Sequence, residues 1–237
     1  MGSSLYIIFV SRKFSPKVFP VRRDSLRVSL NENKEYPLYA MPNAVLNAIS
    51  NNLPLYLLEF FYSAKITGFY SWAVRIIQGP MGMLTASIQQ VFFRNASELY
   101  NNKGDLYSLT VKMYKRLFLI GIVPYIFIFF FAPDIFSFVF GKEWRIAGEY
   151  TSYLVPWFFV MFLNSPVSSL ILILKKQKAY FMFEIALFAF RGLSLFAGYY
   201  FFKQAKYSII LYGAVGLLFN LLLLFILLRI SKNASKG

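Results

Sequence analysis

Residues 207–228 read YSIILYGAVGLLFNLLLLFILL, 22 positions without one charged side chain. At 1.5 Å rise per residue, a helix of this length covers about 33 Å, close to the thickness of bilayer hydrocarbon. The stretch therefore reads as a membrane span. Five others read the same way: 38–61, 68–93, 117–132, 150–174 and 179–202. The 117–132 stretch is short, and is expected to gain a turn from the interfacial residues 109–114. The sequence predicts an all-α, polytopic membrane helix bundle of six transmembrane helices over residues 36–230. A basic interfacial segment, 1–35, precedes it and a short tail, 231–237, follows.

Composition agrees. Of 237 residues, 58% are hydrophobic, 20% aromatic and only 15% charged, more apolar surface than a water-soluble globule of this size can bury. Cysteine and histidine are both absent, which excludes disulfide frameworks, Cys or Cys/His metal sites, and Cys or His nucleophiles and bases. No glycine-rich phosphate loop is present, and neither cofactor nor metal is expected. The net charge of +15 in so apolar a chain points to loops facing an anionic membrane surface rather than to nucleic acid.

Basic residues outside the spans divide 18 to 5 between alternate sides, so the positive-inside rule puts both termini in the cytoplasm. Residues 5–10 are too few, with no basic residue ahead of them, to read as a signal peptide. Residues 11–30 mix Arg and Lys with apolar side chains and carry Pro16 and Pro20, the pattern of a membrane-surface segment. Residues 134–140 with Trp144 read as an interfacial turn on the outer side.

Polar groups inside spans face either the bundle interior or a wet cavity. Ser71, Arg75, Gln78, Gly82, Thr85 and Gln89 follow one another at spacings of 4, 3, 4, 3 and 4, a stripe about 80° wide. Asn43, Asn47, Ser50 and Pro54 share a face of the first span. Helix–helix packing explains such stripes, but an Arg and two Gln along a whole helix favour the wall of a hydrated pathway. Pro42, Pro54, Pro80 and Pro124 lie within the first three spans, and residues 164–169 (NSPVSS) are expected to break the fourth. In transporters such breaks mark hinges or sites near the midplane, and any single Pro reads equally as a packing kink.

Four ionisable groups fall inside spans: Glu59, Arg75, Glu184 and Arg191. Each costs about 2.5–3.5 kcal/mol if unpaired near the bilayer centre. Glu59 and Arg75 are placed for a structural ion pair across the first hairpin, with a lumenal role for Arg75 as the alternative. Glu184 and Arg191 share a face of the fifth span with about 10 Å of rise between them, too far for direct contact. Arg191 thus lacks a local partner and is the stronger functional candidate.

The text at Tyr36-Pro37-Leu38-Tyr39-Ala40-Met41-Pro42, Phe60-Phe61-Tyr62, Gly68-Phe69-Tyr70-Ser71-Trp72-Ala73-Val74-Arg75, Pro80, Val91-Phe92-Phe93 and residues 133–141 with Trp144 resembles one family. This is the polysaccharide-biosynthesis flippases of the multidrug/oligosaccharidyl-lipid/polysaccharide exporter superfamily. The resemblance implies a non-enzymatic transporter of the bacterial inner membrane. Its cargo would be undecaprenyl-diphosphate-linked oligosaccharide for O-antigen, capsule or exopolysaccharide. Members usually have two lobes; this chain resembles the second alone, with residues 1–35 similar to the linker between them. A separate first-lobe subunit, a homodimer and a truncated product all remain open.

On this resemblance Arg75 and Arg191, with Gln78, Gln89, Asn47, Ser71 and Thr85, line the cavity for head group and sugars, since Arg hydrogen-bonds phosphate and stays charged. The lipid tail stays in the bilayer or a lateral groove, the lobes rock, and Glu184 takes a coupling proton. A small-molecule exporter of the same superfamily and an inactive fragment are the alternatives. A membrane enzyme of polysaccharide assembly lacks a convergent acid–base set.

Overall fold

The computed structural model describes residues 38–39 and 41–235; the basic segment 1–35, with its expected surface role, lies outside them. The described residues form six long helices and one short one: α1 (Met41–Phe61), α2 (Ala64–Asn101), α3 (Leu106–Phe140), α4 (Arg145–Val167), α5 (Leu170–Ile173), α6 (Gln177–Ala197) and α7 (Ala205–Ala234). A 3₁₀ turn, Lys142–Trp144, joins α3 to α4, and a π turn, Gly198–Phe202, extends α6.

Local chemistry sets the helix ends. The Ser63 side chain accepts from the Ile66 N–H at the start of α2, and Asp105 accepts from the Ser108 N–H at 3.0 Å at the start of α3. Gly141, at φ 100°, takes the left-handed conformation that stops α3. The long helices alternate in direction. At one end Tyr62 Oη and Ser208 Oγ are 2.8 Å apart, and Lys65 pairs with Glu143 at 3.1 Å. At the other end the Tyr107 N–H donates to Ser235 Oγ at 3.0 Å. The connections thus gather at alternate ends, as the distribution of basic residues requires.

The bundle is organised around α4, the most buried of the apolar helices, with Leu154, Phe158 and Phe162 in its core. From α3, Tyr114, Leu117, Gly121 and Tyr125 face it at three- and four-residue intervals; from α2, Tyr70, Ala73, Ile77 and Phe92 do. Backbones approach closely at small residues, as membrane helices do. A Cβ on Gly148 would lie 2.5 Å from the Ala132 carbonyl oxygen and Pro133 Cα, and one on Gly216 would lie 2.5 Å from the Trp157 ring. Phe127, Phe130, Val123 and Phe138 of α3 and Leu218 and Phe225 of α7 point outward, an apolar surface matched to acyl chains.

The sequence expectation of six equivalent spans is met in part. Among the described residues, four segments are long and apolar enough to cross a bilayer: Leu106–Phe140, Lys142–Ile173, Gln177–Phe202 and Ala205–Ala234. The polar side chains of α1 and α2 keep them below that standard. Residues 134–140 are not an interfacial turn but the last turns of α3, because Pro133 is accommodated and only Gly141 ends the helix. Trp144 instead stacks edge-on with Phe69 and Trp72 at that end. Helices α1, α2 and α3 run unbroken through Pro54, Pro80 and Pro124. The fourth span runs unbroken through Pro156 and Pro166 and turns only at Ser168–Ser169. Residues 231–234, expected as tail, belong to α7.

Candidate functional site

Helices α1, α4, α6 and α7 line a half-open cavity of about 250 Å³ that carries several polar side chains. The sequence builds it by helical spacing. Tyr180, Glu184, Leu187 and Arg191 recur at 4, 3 and 4 along one face of α6, Asn47 and Asn51 are one turn apart on α1, and Asn164, Ser165 and Ser168 end α4. Asn220 closes it from α7.

Arg191 is 4% exposed and Glu184 5%. The Arg191 Nη1 group donates to Ser50 Oγ of α1 at 2.9 Å. Its guanidinium carbon lies 4.9 Å from the Trp157 ring centroid on α4 and 5.6 Å from that of Tyr212 on α7. Desolvated cation–π contacts contribute about 2 kcal/mol, so these rings and the hydroxyl offset part of the burial cost. Arg191 Nε keeps no hydrogen-bond partner. Glu184 and Arg191 form no ion pair, as their helical separation requires. The ion pairs among the described residues are Lys65–Glu143 and Arg145–Asp134, both exposed.

In the wall of the cavity, amides lock three helices. Tyr114 Oη of α3 donates to Asn164 Oδ1 at 3.0 Å, Asn164 Nδ2 donates to the Asn220 carbonyl oxygen at 2.7 Å, and Asn220 Nδ2 donates to the Gly216 carbonyl oxygen at 2.9 Å. Each group is satisfied where water is scarce.

A larger cleft of about 580 Å³ opens at the end of the bundle where α1 begins and α2 and α4 finish. Its walls include Asn43, Gln89, Gln90 and Gln177. Ser168 and Tyr180 line cleft and cavity alike, so the two polar spaces share a wall.

The residues expected to line one cavity are divided among three places. Arg191 and Asn47, with Glu184, line the inner cavity, and Gln89 lines the cleft. Ser71, Arg75, Gln78 and Thr85 line neither. Ser71 and Thr85 return their hydroxyls to the Gly68 and Met81 carbonyls of their own helix, each at 2.9 Å. Arg75 and Gln78 are exposed. The buried face of α2 is carried by Ala73 and Ile77, and Arg75 is two residues, about 200°, from each. Arg75 and Gln78 therefore lie off the packed face of α2, whereas Thr85 is buried at its edge.

The expected Glu59–Arg75 ion pair does not form. Glu59 follows the buried Leu58 by one residue and points away from the bundle. Sequence reasoning missed Asn51, Asn164 and Asn220 as cavity walls and Trp157 and Tyr212 as the Arg191 cage. Asn220, alone among 22 otherwise apolar or small residues, carried a readable signal; the two rings, in a chain one-fifth aromatic, carried none.

A family model described as polysaccharide biosynthesis protein matches residues 5–148, more than half of the chain, from the basic segment into the start of α4. No curated protein and no solved structure matches. With an all-helical bundle, four helices able to cross a bilayer and this match, the chain belongs to the polysaccharide biosynthesis protein family.

Proposed function

We propose that this chain is one membrane lobe of a flippase that carries lipid-diphosphate-linked oligosaccharide across the bacterial inner membrane for surface polysaccharide synthesis. The observation that carries the reading is the pair of buried ionisable side chains, Arg191 and Glu184, on a half-open cavity in an apolar bundle of the polysaccharide biosynthesis protein family. Buried ionisable groups are expensive in membrane proteins and usually mark transport pathways.

In this reading α1 and α2 also cross the bilayer, with both chain ends in the cytoplasm. The polar flank of α2, with Ser71, Arg75 and Gln78, faces a second lobe supplied by a separate subunit or a second copy. Arg75, exposed and unpaired, meets the diphosphate there. The inner cavity is smaller than the ~300–1,000 Å³ of ordinary small-molecule sites. Arg191 and Asn47 therefore act inside the lobe rather than on a whole oligosaccharide, and Glu184 is the position for a coupling proton. An apolar groove lined by Phe118, Leu119, Leu224 and Leu228 suits the lipid tail.

The test is complementation in cells lacking the chain. Arg75→Gln and Arg191→Gln should each lower surface polysaccharide while lipid-linked intermediates accumulate. Unchanged surface polysaccharide in cells with no copy of the chain would end the proposal.

A further inference from the structure

We infer that the cleft at the α1/α2/α4 end is a binding site for an uncharged sugar residue. The inference rests on the flippase reading for the biological source of that sugar, but its chemistry comes from the cleft itself. Among the described residues, no Asp, Glu, Lys or Arg lines the cleft. Four amides do, Asn43, Gln89, Gln90 and Gln177, each able to donate and accept in one plane. Vicinal sugar hydroxyls offer the matching paired donors and acceptors.

Two of these amides have buried oxygens with no partner, Asn43 Oδ1 and Gln177 Oε1. An acceptor left in this state costs about 1–3 kcal/mol, and since each oxygen has almost no accessible surface, a ligand hydroxyl pairs with it only once the amide turns toward the cleft. Three aromatic rings, Tyr39, Phe93 and Tyr180, complete the walls. They supply flat apolar surface for the C–H face of a pyranose. The cleft volume, about 580 Å³, falls within the range of small-molecule sites.

Charge separates sugar from phosphate. A diphosphate finds no cation among the described walls of the cleft, but Arg94 follows Phe93 directly and Lys176 precedes Gln177, both exposed. The arrangement puts a neutral sugar within and leaves an attached phosphate at the basic mouth.

The experiment is saturation-transfer NMR on the full chain in lipid nanodiscs, with galactose, N-acetylglucosamine and glucuronate as separate probes and pyrophosphate added as a competitor. Transfer to one or both neutral sugars is expected, undiminished by pyrophosphate, with a weaker signal for glucuronate. Gln90→Trp fills the cleft from an exposed position, so the bundle should stay folded while the sugar signal disappears. Asn43→Ala with Gln177→Ala should weaken neutral-sugar binding about tenfold, the effect of one or two lost hydrogen bonds. Retention of the full sugar signal in Gln90→Trp, absence of any sugar signal in the unaltered chain, or displacement of the sugar by pyrophosphate overturns the inference. The flippase reading fails separately: cells without the chain would keep their surface polysaccharide, whatever the purified chain binds.

Discussion

Asn164→Ala should be among the most informative changes for stability. The Asn164 side chain accepts from Tyr114 Oη at 3.0 Å and donates to the Asn220 carbonyl oxygen at 2.7 Å, so the substitution removes bonds to α3 and α7 together. Hydrogen bonds between membrane helices average about 0.6 kcal/mol in double-mutant cycles. Two of them give about 1.2 kcal/mol, and the stranded Tyr114 hydroxyl raises the expected loss to about 2 kcal/mol. Tyr114→Phe should cost about 0.6 kcal/mol alone and almost nothing more in the Asn164→Ala background. The assay is reversible unfolding by SDS in mixed micelles, followed by circular dichroism. A coupling between the two changes indistinguishable from zero, or a loss below about 0.3 kcal/mol for Asn164→Ala, would refute the network.

Close approach makes a second test. Gly148→Ala should destabilise by about 1–3 kcal/mol in the same assay, because its methyl meets backbone of α3 that cannot swing aside, whereas Gly82→Ala, with nothing within 4 Å, should be neutral or stabilising. Exchanging the charges at positions 59 and 75 should rescue nothing in a cycle of single and double variants, since Glu59 and Arg75 do not pair; full rescue would contradict the described geometry. Arg145→Ala removes an exposed ion pair with Asp134 and should change stability by under about 1 kcal/mol, an effect that fades in high salt.

The sequence made the bundle's outline readable because apolar length alone demands helices in a bilayer. Span ends were harder to place. Lys112, Lys115 and Arg116 lie outside the 117–132 span as the sequence marks it, yet Lys and Arg are good helix formers and their long stems reach polar surroundings from within α3. The polar face of α1 was legible at Asn43, Asn47 and Ser50, because one helix face collects them and the structure buries Ser50 there. On α2 spacing revealed a real stripe but not its neighbours, because a period within one helix fixes an arc and not what faces it. The Arg191 cage lay beyond sequence reach, since Ser50, Trp157 and Tyr212 come from three other helices.

The most direct measurement follows lipid-linked oligosaccharide itself. Intact spheroplasts, with and without the chain, are exposed to a membrane-impermeant glycan-oxidising reagent, and the modified fraction of the lipid-linked pool is counted. The account predicts a pool that swells and stays protected when the chain is missing, and becomes accessible when it is restored. An equal modified fraction in both cells would contradict it.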